Sequence, residues 1–446
     1  MFSLDKYGKI VREYRAEGLL NFNDKRGFDC SVHAVQLADG KIIASCLFEK
    51  DLHTLRQYLN QDIPIISITG VTESNEQFLL KEDTVILSFS DSGKSIRIVV
   101  RSKSMGVRRQ INRAPKLVKF GITNFRFIGN RCIKNANRTH LGILILNLPD
   151  SVVEIYQLPD YDEIIESLRV QRGIDLTCEA NVTISSLADT RKAAKLVNDV
   201  CTLLSIARGT KINWIYYDCY GEYGERIASF HRNNNIWEYT HAPLIDWQNP
   251  NETPSFVGQV YEPFLQKKNI HGLDIAIDAY LEAKRTSIFL ETRALEAIIV
   301  IEFLKSKYAV KKGTDLLVNI GQFKNIQRSV ENLLAEQFKQ MSLSPENDVL
   351  ENMKLKILEL NRRPFKSILR NMFADIELTI SDDELERFVK IRNSLVHKAS
   401  FTKQTKQGEW EEYTLIMSIL DRIFLRILSY SGDILDVREG FKRIKI

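Results

Sequence analysis

The stretch DDELERFVKIRNSLVHKAS, residues 382–400, joins a helix signal to a polar motif, and no other stretch joins such specific spacing to plausible chemistry. Ser381 and Glu384 stand at the spacing of a capping box, in which the serine hydroxyl accepts from the third amide and the glutamate reaches back. Apolar residues then recur at steps of three and four, the period of one buried helix face: Leu385, Phe388, Val389, Leu395, Val396 and Ala399. The stretch therefore predicts an amphipathic helix.

The polar motif is the hexad R-N-x-x-x-H formed by Arg392, Asn393 and His397. Arg392 falls inside the apolar stripe, where an unpaired guanidinium would lose much of its solvation energy unless it meets an acceptor or a wet cleft. Asn393 and His397 lie four residues apart on a neighbouring stripe, and the long Arg392 side chain can swing toward the same patch. We therefore expect that all three side chains can face one phosphate.

A plainer interpretation gives each of these residues a structural role. Arg392 would pair with a carboxylate from another helix, Asn393 would be a surface amide, and His397 would be a satisfied core histidine. An Arg and a His at this spacing occur often by chance. The Asn directly after the Arg, the capped helix and an all-helical surrounding domain favour the site.

The residues around the hexad predict a helical bundle. The expected helices share three- and four-residue apolar periodicity; they are 273–310, broken near 285–287, then 315–341, 346–360 opened by Ser344-Pro345, a short helix from Pro364 to Met372, and 409–432 stopped by Gly432. The preceding stretch 241–256 holds three of the ten prolines and has no periodicity, so it predicts a domain boundary.

Residues before this boundary predict strands. Short β-branched and aromatic runs lie at 28–37, 41–49, 63–71, 84–90, 95–102 and 140–148. Residues 38–40 and 91–93 read as hairpin turns. Further on, 188–209 predicts a helix ended by Gly209, followed by a hairpin over 211–220 and 225–233.

The expected fold class is therefore α+β and multidomain. Residues 1–148 would form a β-rich sensing or binding lobe, residues 149–250 a small α/β lobe, and residues 256–446 an all-α bundle.

The hexad resembles the signature of HEPN ribonucleases, helical-bundle domains found in prokaryotic toxins, phage-defence effectors and RNA-cleaving CRISPR effectors. In that family the motif lies late in the bundle, and two copies meet in one composite site. The resemblance covers roughly the last 185 residues and implies a homodimer or higher even-numbered assembly, with Arg392 lining the two-fold interface. The order of a β-rich region and a HEPN bundle is similar to ApeA-type abortive-infection proteins.

The residue types and this resemblance together predict metal-independent cleavage of RNA. The ribose 2′-oxygen would attack the adjacent phosphate, His397 would act as general base or acid, and Arg392 would stabilise the phosphate charge. Asn393 would orient His397 or the phosphate. We expect a 2′,3′-cyclic phosphate product, an RNA substrate such as tRNA, and a phage-derived protein or nucleic acid as trigger. The competing prediction is a non-catalytic HEPN dimerisation scaffold with a binding β-rich domain.

Charge is distributed unevenly along the chain, whose formal net charge is +5. No acidic residue occurs between Ser92 and Pro149, while this tract holds thirteen Lys and Arg residues, which leaves the rest of the chain at −8. Such a tract attracts polyanions. The candidate nucleic-acid contacts are Arg101, Lys103, Arg108, Arg109, Arg113 and Lys116, and a phage protein is the competing ligand. Phe120, Phe125 and Phe127 could stack on unpaired bases or belong to the core, and strand alternation favours the core for Phe125 and Phe127.

Other classes of site find no support in the sequence. The six cysteines lack paired short spacing and the remaining histidines stand singly, so we expect buried thiols, no disulfide framework, no metal and no cofactor. The N-terminus carries charge from residue 5 onward and no apolar run reaches membrane length, so we expect a soluble cytoplasmic protein.

Overall fold

The computed structural model describes residues 4–23, 27–61, 64–111, 113–134, 139–186, 188–233, 237–341 and 347–446. The chain divides into two compact units, Met1–Tyr261 and Glu262–Ile446. The first is rich in strands and the second is helical, which confirms the predicted mixed α+β class.

The described strands of the first unit belong to one sheet. In chain order they are β1 (Ile10–Phe22), β2 (Gly27–Leu37), β3 (Ile42–Phe48), β4 (Ile65–Thr72), β5 (Gln77–Asp91), β6 (Ile96–Ser102), β7 (Ser104–Arg108), β8 (Leu117–Thr123), β9 (Arg131–Lys134), β10 (Thr139–Leu148), β11 (Ser151–Gln157), β12 (Leu176–Thr183), β13 (Asn213–Tyr220) and β14 (Arg226–Arg232). The strand order is β4-β1-β2-β3-β6-β5-β7-β14-β13-β8-β12-β11-β10-β9, and neighbouring pairs are antiparallel.

An additional pairing between β4 and β5 closes the first six strands into a ring. Alternate side chains point inward and form one core that includes Phe22, Phe48 and Phe78. The β1 and β4 backbones approach closely at Gly18 and Gly70, since a Cβ on Gly18 would lie 2.0 Å from the Thr69 carbonyl oxygen. Helix α1 (Leu52–Asn60) packs Leu55 against the same core.

All eight strands predicted from the sequence are present, and the predicted turns at 38–40 and 91–93 join β2 to β3 and β5 to β6. The sequence pattern missed six of the described strands of this unit, namely β1, β7, β8, β9, β11 and β12. In β1, the small Ala16 and Gly18 at inward positions and the exposed Leu19 obscure the apolar alternation.

The second half of the sheet carries two helices, α2 (Tyr161–Gln171) and α3 (Asp189–Arg208). Helix α3 packs on β13 and β8 and ends, as predicted, at Gly209, whose φ of 62° suits glycine. Strand β8 pairs with both β12 and β13. The predicted boundary between the β-rich lobe and the α/β lobe, at residues 148 and 149, lies within the β10–β11 hairpin of this sheet.

The helices from the unit boundary onward are α4 (Glu252–His271), α5 (Leu273–Ala283), α6 (Leu290–Lys312), α7 (Ile320–Gln340), α8 (Asn347–Glu359), α9 (Phe365–Asp375), α10 (Asp382–Lys398) and α11 (Lys406–Ile427). The predicted linker 241–256 ends in helical structure, because α4 already begins at Glu252. Ser344-Pro345, the predicted start of the helix now seen as α8, lies outside the described residues.

The last helix ends earlier than predicted. Helix α11 stops at Ile427, and Ser429 rather than Gly432 takes the left-handed conformation, with a φ of 58°. A hairpin of β15 (Asp433–Asp436) and β16 (Lys442–Lys445) follows. Among the described residues, every helix is too short or too polar to span a lipid bilayer.

Helix α6 is the centre of the bundle, because α5, α9, α10 and α11 all pack against it. Its buried face includes Ile301 and Leu304. A buried polar contact crosses the bundle, in which Asp421 Oδ1 accepts from Tyr280 Oη at 2.6 Å and pairs with Lys284 Nζ at 2.9 Å. This packing fixes the position of α10, which carries the hexad.

Candidate functional site

Helix α10 begins as the sequence predicts. Ser381 Oγ accepts from the Glu384 backbone N–H at 3.1 Å, which confirms the first half of the capping box. The second half is wrong, because the Glu384 carboxylate contacts Arg422 and Arg438 instead of the cap. The start of α10 is therefore tied to α11 by an ion pair as well as by its cap.

The buried face of α10 is narrower than predicted. Leu385, Phe388, Ile391 and Leu395 are buried, whereas Val396 is 45% exposed. Ile391, which the pattern did not include, is buried, and Val396, which it did include, is exposed. Ala399 lies beyond the last helical residue. Steps of three and four starting from Leu385 fit either set, and only packing on α6 decides between them.

Arg392 lies at the margin of this face, and its side chain is 23% exposed. Its Nε and Nη2 donate to Glu302 Oε1 on α6, at 3.0 and 2.7 Å. Its Nη1 donates to Asn393 Oδ1 at 3.0 Å. The structure thus brings Arg392 and Asn393 together, and it also supplies the interhelical carboxylate of the plainer interpretation.

The sequence did not single out three residues that surround Arg392. Glu302 also accepts from Lys305 Nζ, through Oε2 at 2.7 Å. The Phe365 ring at the start of α9 lies under both cations, with its centroid 5.1 Å from Arg392 Cζ and 4.7 Å from Lys305 Nζ. The spacing of Glu302 and Lys305 was readable as a helix pair, but nothing local indicates that α6 faces α10.

His397 is exposed on the last turn of α10, so it is not a core histidine. It makes no hydrogen bond or ion pair with any residue in the described ranges, Arg392 and Asn393 included. The exposed imidazole is therefore accessible from solvent.

The candidate nucleic-acid contacts of the basic tract do not form one group of unpaired cations. Arg109 Nε donates to the buried Glu76 at 2.8 Å, and Arg113 Nη1 donates to Glu225 at 3.0 Å. The others, Arg101, Lys103, Arg108 and Lys116, have exposed side chains. Part of the tract's charge is therefore neutralised by acids from outside it.

The three phenylalanines of the tract belong to the core. Phe120, Phe125 and Phe127 are at most 1% exposed, and the Phe125 and Phe127 rings stack with centroids 4.7 Å apart. Of the two roles that the sequence left open, base stacking is wrong, and the core role that strand alternation favoured for Phe125 and Phe127 is confirmed. Arg138, the last cation of the tract, lies outside the described residues.

Five cysteines are buried thiols as expected, but Cys132 on β9 is exposed. Within the described ranges no group of three or more His, Cys, Asp or Glu residues is arranged to hold a metal ion.

One family model matches part of the chain. The model, described as the YopA central domain, covers residues 111–246, which hold β8 to β14 with α2 and α3. It covers less than half of the chain and none of the helical unit. No curated protein and no solved structure matches this chain.

Proposed function

We propose that this protein is a metal-independent endoribonuclease of prokaryotic anti-phage defence, with its helical unit as a HEPN domain that cleaves RNA. The observation that carries the proposal is the pairing of Arg392 with Asn393 on a capped, well-packed helix. The next turn of this helix presents an exposed His397 that has no hydrogen-bond partner in the described part of the chain. A cation that binds phosphate and an imidazole that moves protons are the two groups that RNA transesterification requires.

In the proposed reaction the RNA supplies its own nucleophile. His397 takes the proton from the ribose 2′-hydroxyl or gives one to the leaving 5′-oxygen, while Arg392 stabilises the pentacoordinate phosphate. The bond from phosphorus to the 5′-oxygen breaks as the bond to the 2′-oxygen forms. The products are a 2′,3′-cyclic phosphate and a 5′-hydroxyl.

One motif per chain supplies one Arg and one His, so the proposed site needs a second copy. We expect a homodimer or higher even-numbered assembly in light scattering at micromolar concentration. The YopA central domain match, in a family related to ApeA-like phage-defence proteins, supports the defence role. The first unit would then bind the trigger, a phage protein or a nucleic acid.

The second candidate function is a non-catalytic HEPN scaffold. The pairing of Arg392 with Glu302 favours it, because an arginine engaged by a carboxylate can be purely structural. The exposure of His397 favours the ribonuclease instead, because a structural role in a scaffold would require His397 to contact other residues.

Incubation of the purified protein with total tRNA separates the two candidates. We expect cleavage that persists in a metal chelator and falls by about a hundredfold or more in His397→Ala. His397 is exposed and makes no hydrogen bond or ion pair within the described ranges, so the variant should keep the wild-type melting temperature. Cells induced to express each form provide a second readout, because a trigger present only in cells would reveal the activity there. Equal cleavage and equal toxicity with His397→Ala would exclude the ribonuclease proposal.

A further inference from the structure

Hydrogen bonds to Glu302 and Asn393 use some of the N–H groups of Arg392 and leave others without an acceptor among the described residues. A guanidinium has five N–H groups. Three of them donate to Glu302 and Asn393, so one hydrogen on each of Nη1 and Nη2 has no acceptor among the residues that the structure describes. Two N–H groups on neighbouring nitrogens are what a phosphate oxygen pair accepts from arginine.

Glu302 divides its two oxygens between two cations. Oε1 accepts from Arg392 and Oε2 accepts from Lys305. Two positive side chains and one negative side chain leave the cluster with one net positive charge. Without Lys305, the carboxylate would cancel the charge that Arg392 offers to a phosphate.

Packing holds this cluster in place. Glu302 and Lys305 lie three residues apart on α6, the helix against which α5, α9, α10 and α11 pack. The side chains of Glu302, Lys305 and Arg392 are 28%, 15% and 23% exposed, so solvent screens them only in part. The Phe365 ring covers one side of both cations.

We propose that Glu302 is a positioning residue of this site, which holds the Nε and Nη2 edge of Arg392 so that the remaining N–H pair is ready for the scissile phosphodiester of RNA. The inference rests on the proposed ribonuclease function. Arginine loses much rotamer freedom when it binds a phosphate, and an arginine already fixed by a carboxylate loses less. Lys305 keeps the net charge of the cluster positive.

A binding measurement tests this without any cleavage. The probe is a fluorescein-labelled single-stranded 2′-O-methyl RNA, which lacks the nucleophilic hydroxyl, and the readout is fluorescence anisotropy with the full chain. We expect Glu302→Gln to weaken binding about tenfold. Glu302→Asp should weaken it as well, because a side chain shorter by one methylene cannot span Arg392 and Lys305. Lys305→Met should weaken it through charge.

The matched control is Glu386→Gln on the same α10. Glu386 pairs with Lys366 at 2.7 Å, but its side chain is 65% exposed and does not touch Arg392. We expect this variant to bind and cleave like the wild type. Melting temperatures within a few degrees of the wild type show that each variant is folded; if Glu302→Gln does not fold, Glu302→Asp and Lys305→Met give the answer.

Cleavage of the unmodified RNA completes the test. We expect Glu302→Gln to lower kcat about tenfold to a hundredfold in addition to its effect on binding, because the pentacoordinate phosphate depends most on the oriented fork. Wild-type behaviour of the folded Glu302 variants, alongside an inactive Arg392→Ala, would overturn the inference and leave the ribonuclease proposal standing. Faster cleavage by Glu302→Gln would overturn it too, since Glu302 would then restrain Arg392. Full cleavage by Arg392→Ala and His397→Ala would instead refute the ribonuclease function itself.

Discussion

Glu302 and Arg392, ninety positions apart in the sequence, meet where α6 crosses α10, and one carboxylate oxygen accepts from both Nε and Nη2 of the guanidinium. This side-on geometry accounts for a cation at the margin of an apolar helix face. The charge is neither buried without a partner nor left to solvent. It is fixed in one orientation by the central helix of the bundle.

The fork of Arg392 should matter more than its charge. Lysine keeps the positive charge but is a point donor that cannot engage Glu302 and a phosphate in two parallel pairs. We expect Arg392→Lys to cleave RNA about tenfold to a hundredfold more slowly than the wild type, with a smaller loss of binding to 2′-O-methyl RNA. Initial rates measured over a range of RNA concentrations separate the two effects. A wild-type rate for the lysine variant would show that charge alone suffices.

The cap of α10 should contribute to stability and not to chemistry. Ser381 Oγ accepts the Glu384 N–H, and loss of such a cap costs about 1 kcal/mol. We therefore expect Ser381→Ala to lower the free energy of unfolding by about 1 kcal/mol, while Ser381→Asp, which can also cap, stays near the wild type. Denaturant unfolding measures both. Equal stability of the alanine variant would mean that the ion pairs of Glu384 hold the helix start by themselves.

The hexad and the cap were readable from the sequence because both are local. Ser381, Glu384, Arg392 and His397 lie on one continuous helix, whose period and boundary the residue pattern specifies. Glu302 was not readable, since its relation to Arg392 depends on how two distant helices pack.

The same distinction between local patterns and distant contacts explains which features of the first unit could be predicted. Strands with alternating apolar residues were predicted, but the closure of the ring depends on the pairing of β4 with β5, which no local pattern specifies. Phe125 and Phe127 were expected in the core because strand alternation would place them on one side, yet they lie just outside the strands. The structure buries them beneath neighbours such as Tyr161, whose ring centroid is 5.7 Å from that of Phe127.

The ionised carboxylate of Glu76 should stabilise the first unit at pH values above those at which this carboxyl titrates. It is buried and accepts from Arg109 at 2.8 Å and from Arg226 at 2.9 Å. Burial alone would raise the pKa of Glu76, but the Arg109 hydrogen bond and the Arg226 charge outweigh it and lower the pKa. A carboxyl with a lowered pKa stabilises the fold above its ordinary pKa, and this stabilisation is lost as the pH falls through the lowered value.

We expect Glu76→Gln to lower the free energy of unfolding at pH 7 by about 2–4 kcal/mol, because two guanidiniums lose a charged acceptor. Urea unfolding measures the change. The matched control is Glu166→Gln. The side chains of Glu166 and of its partner Arg169 are both 58% exposed, so this variant should change the free energy of unfolding little. Similar losses in the two variants would contradict the importance of burial for Glu76.

His231 should make the same unit sensitive to mild acid. It is fully buried, with Nδ1 2.7 Å from Gln36 Oε1 and Nε2 3.0 Å from Tyr14 Oη. Since Gln36 Nε2 donates to the Ile215 carbonyl, its Oε1 is the acceptor, so Nδ1 carries the proton and Nε2 accepts from Tyr14. Burial, followed by the charges of Arg12 and Arg226, lowers the pKa of His231 to about 3.

The unfolded chain takes up a proton at His231 below its ordinary pKa of about 6.5, while the folded chain does not, so stability falls as the pH drops from there toward 3. The slope from this one group approaches about 1.4 kcal/mol per pH unit. We expect His231→Gln to be less stable at pH 7 but to lose less stability between pH 6.5 and 4.5, measured by urea unfolding at each pH. His53→Gln, at an exposed position, should keep the wild-type slope. Parallel curves for His231→Gln and the wild type would show that this histidine is not the group that titrates.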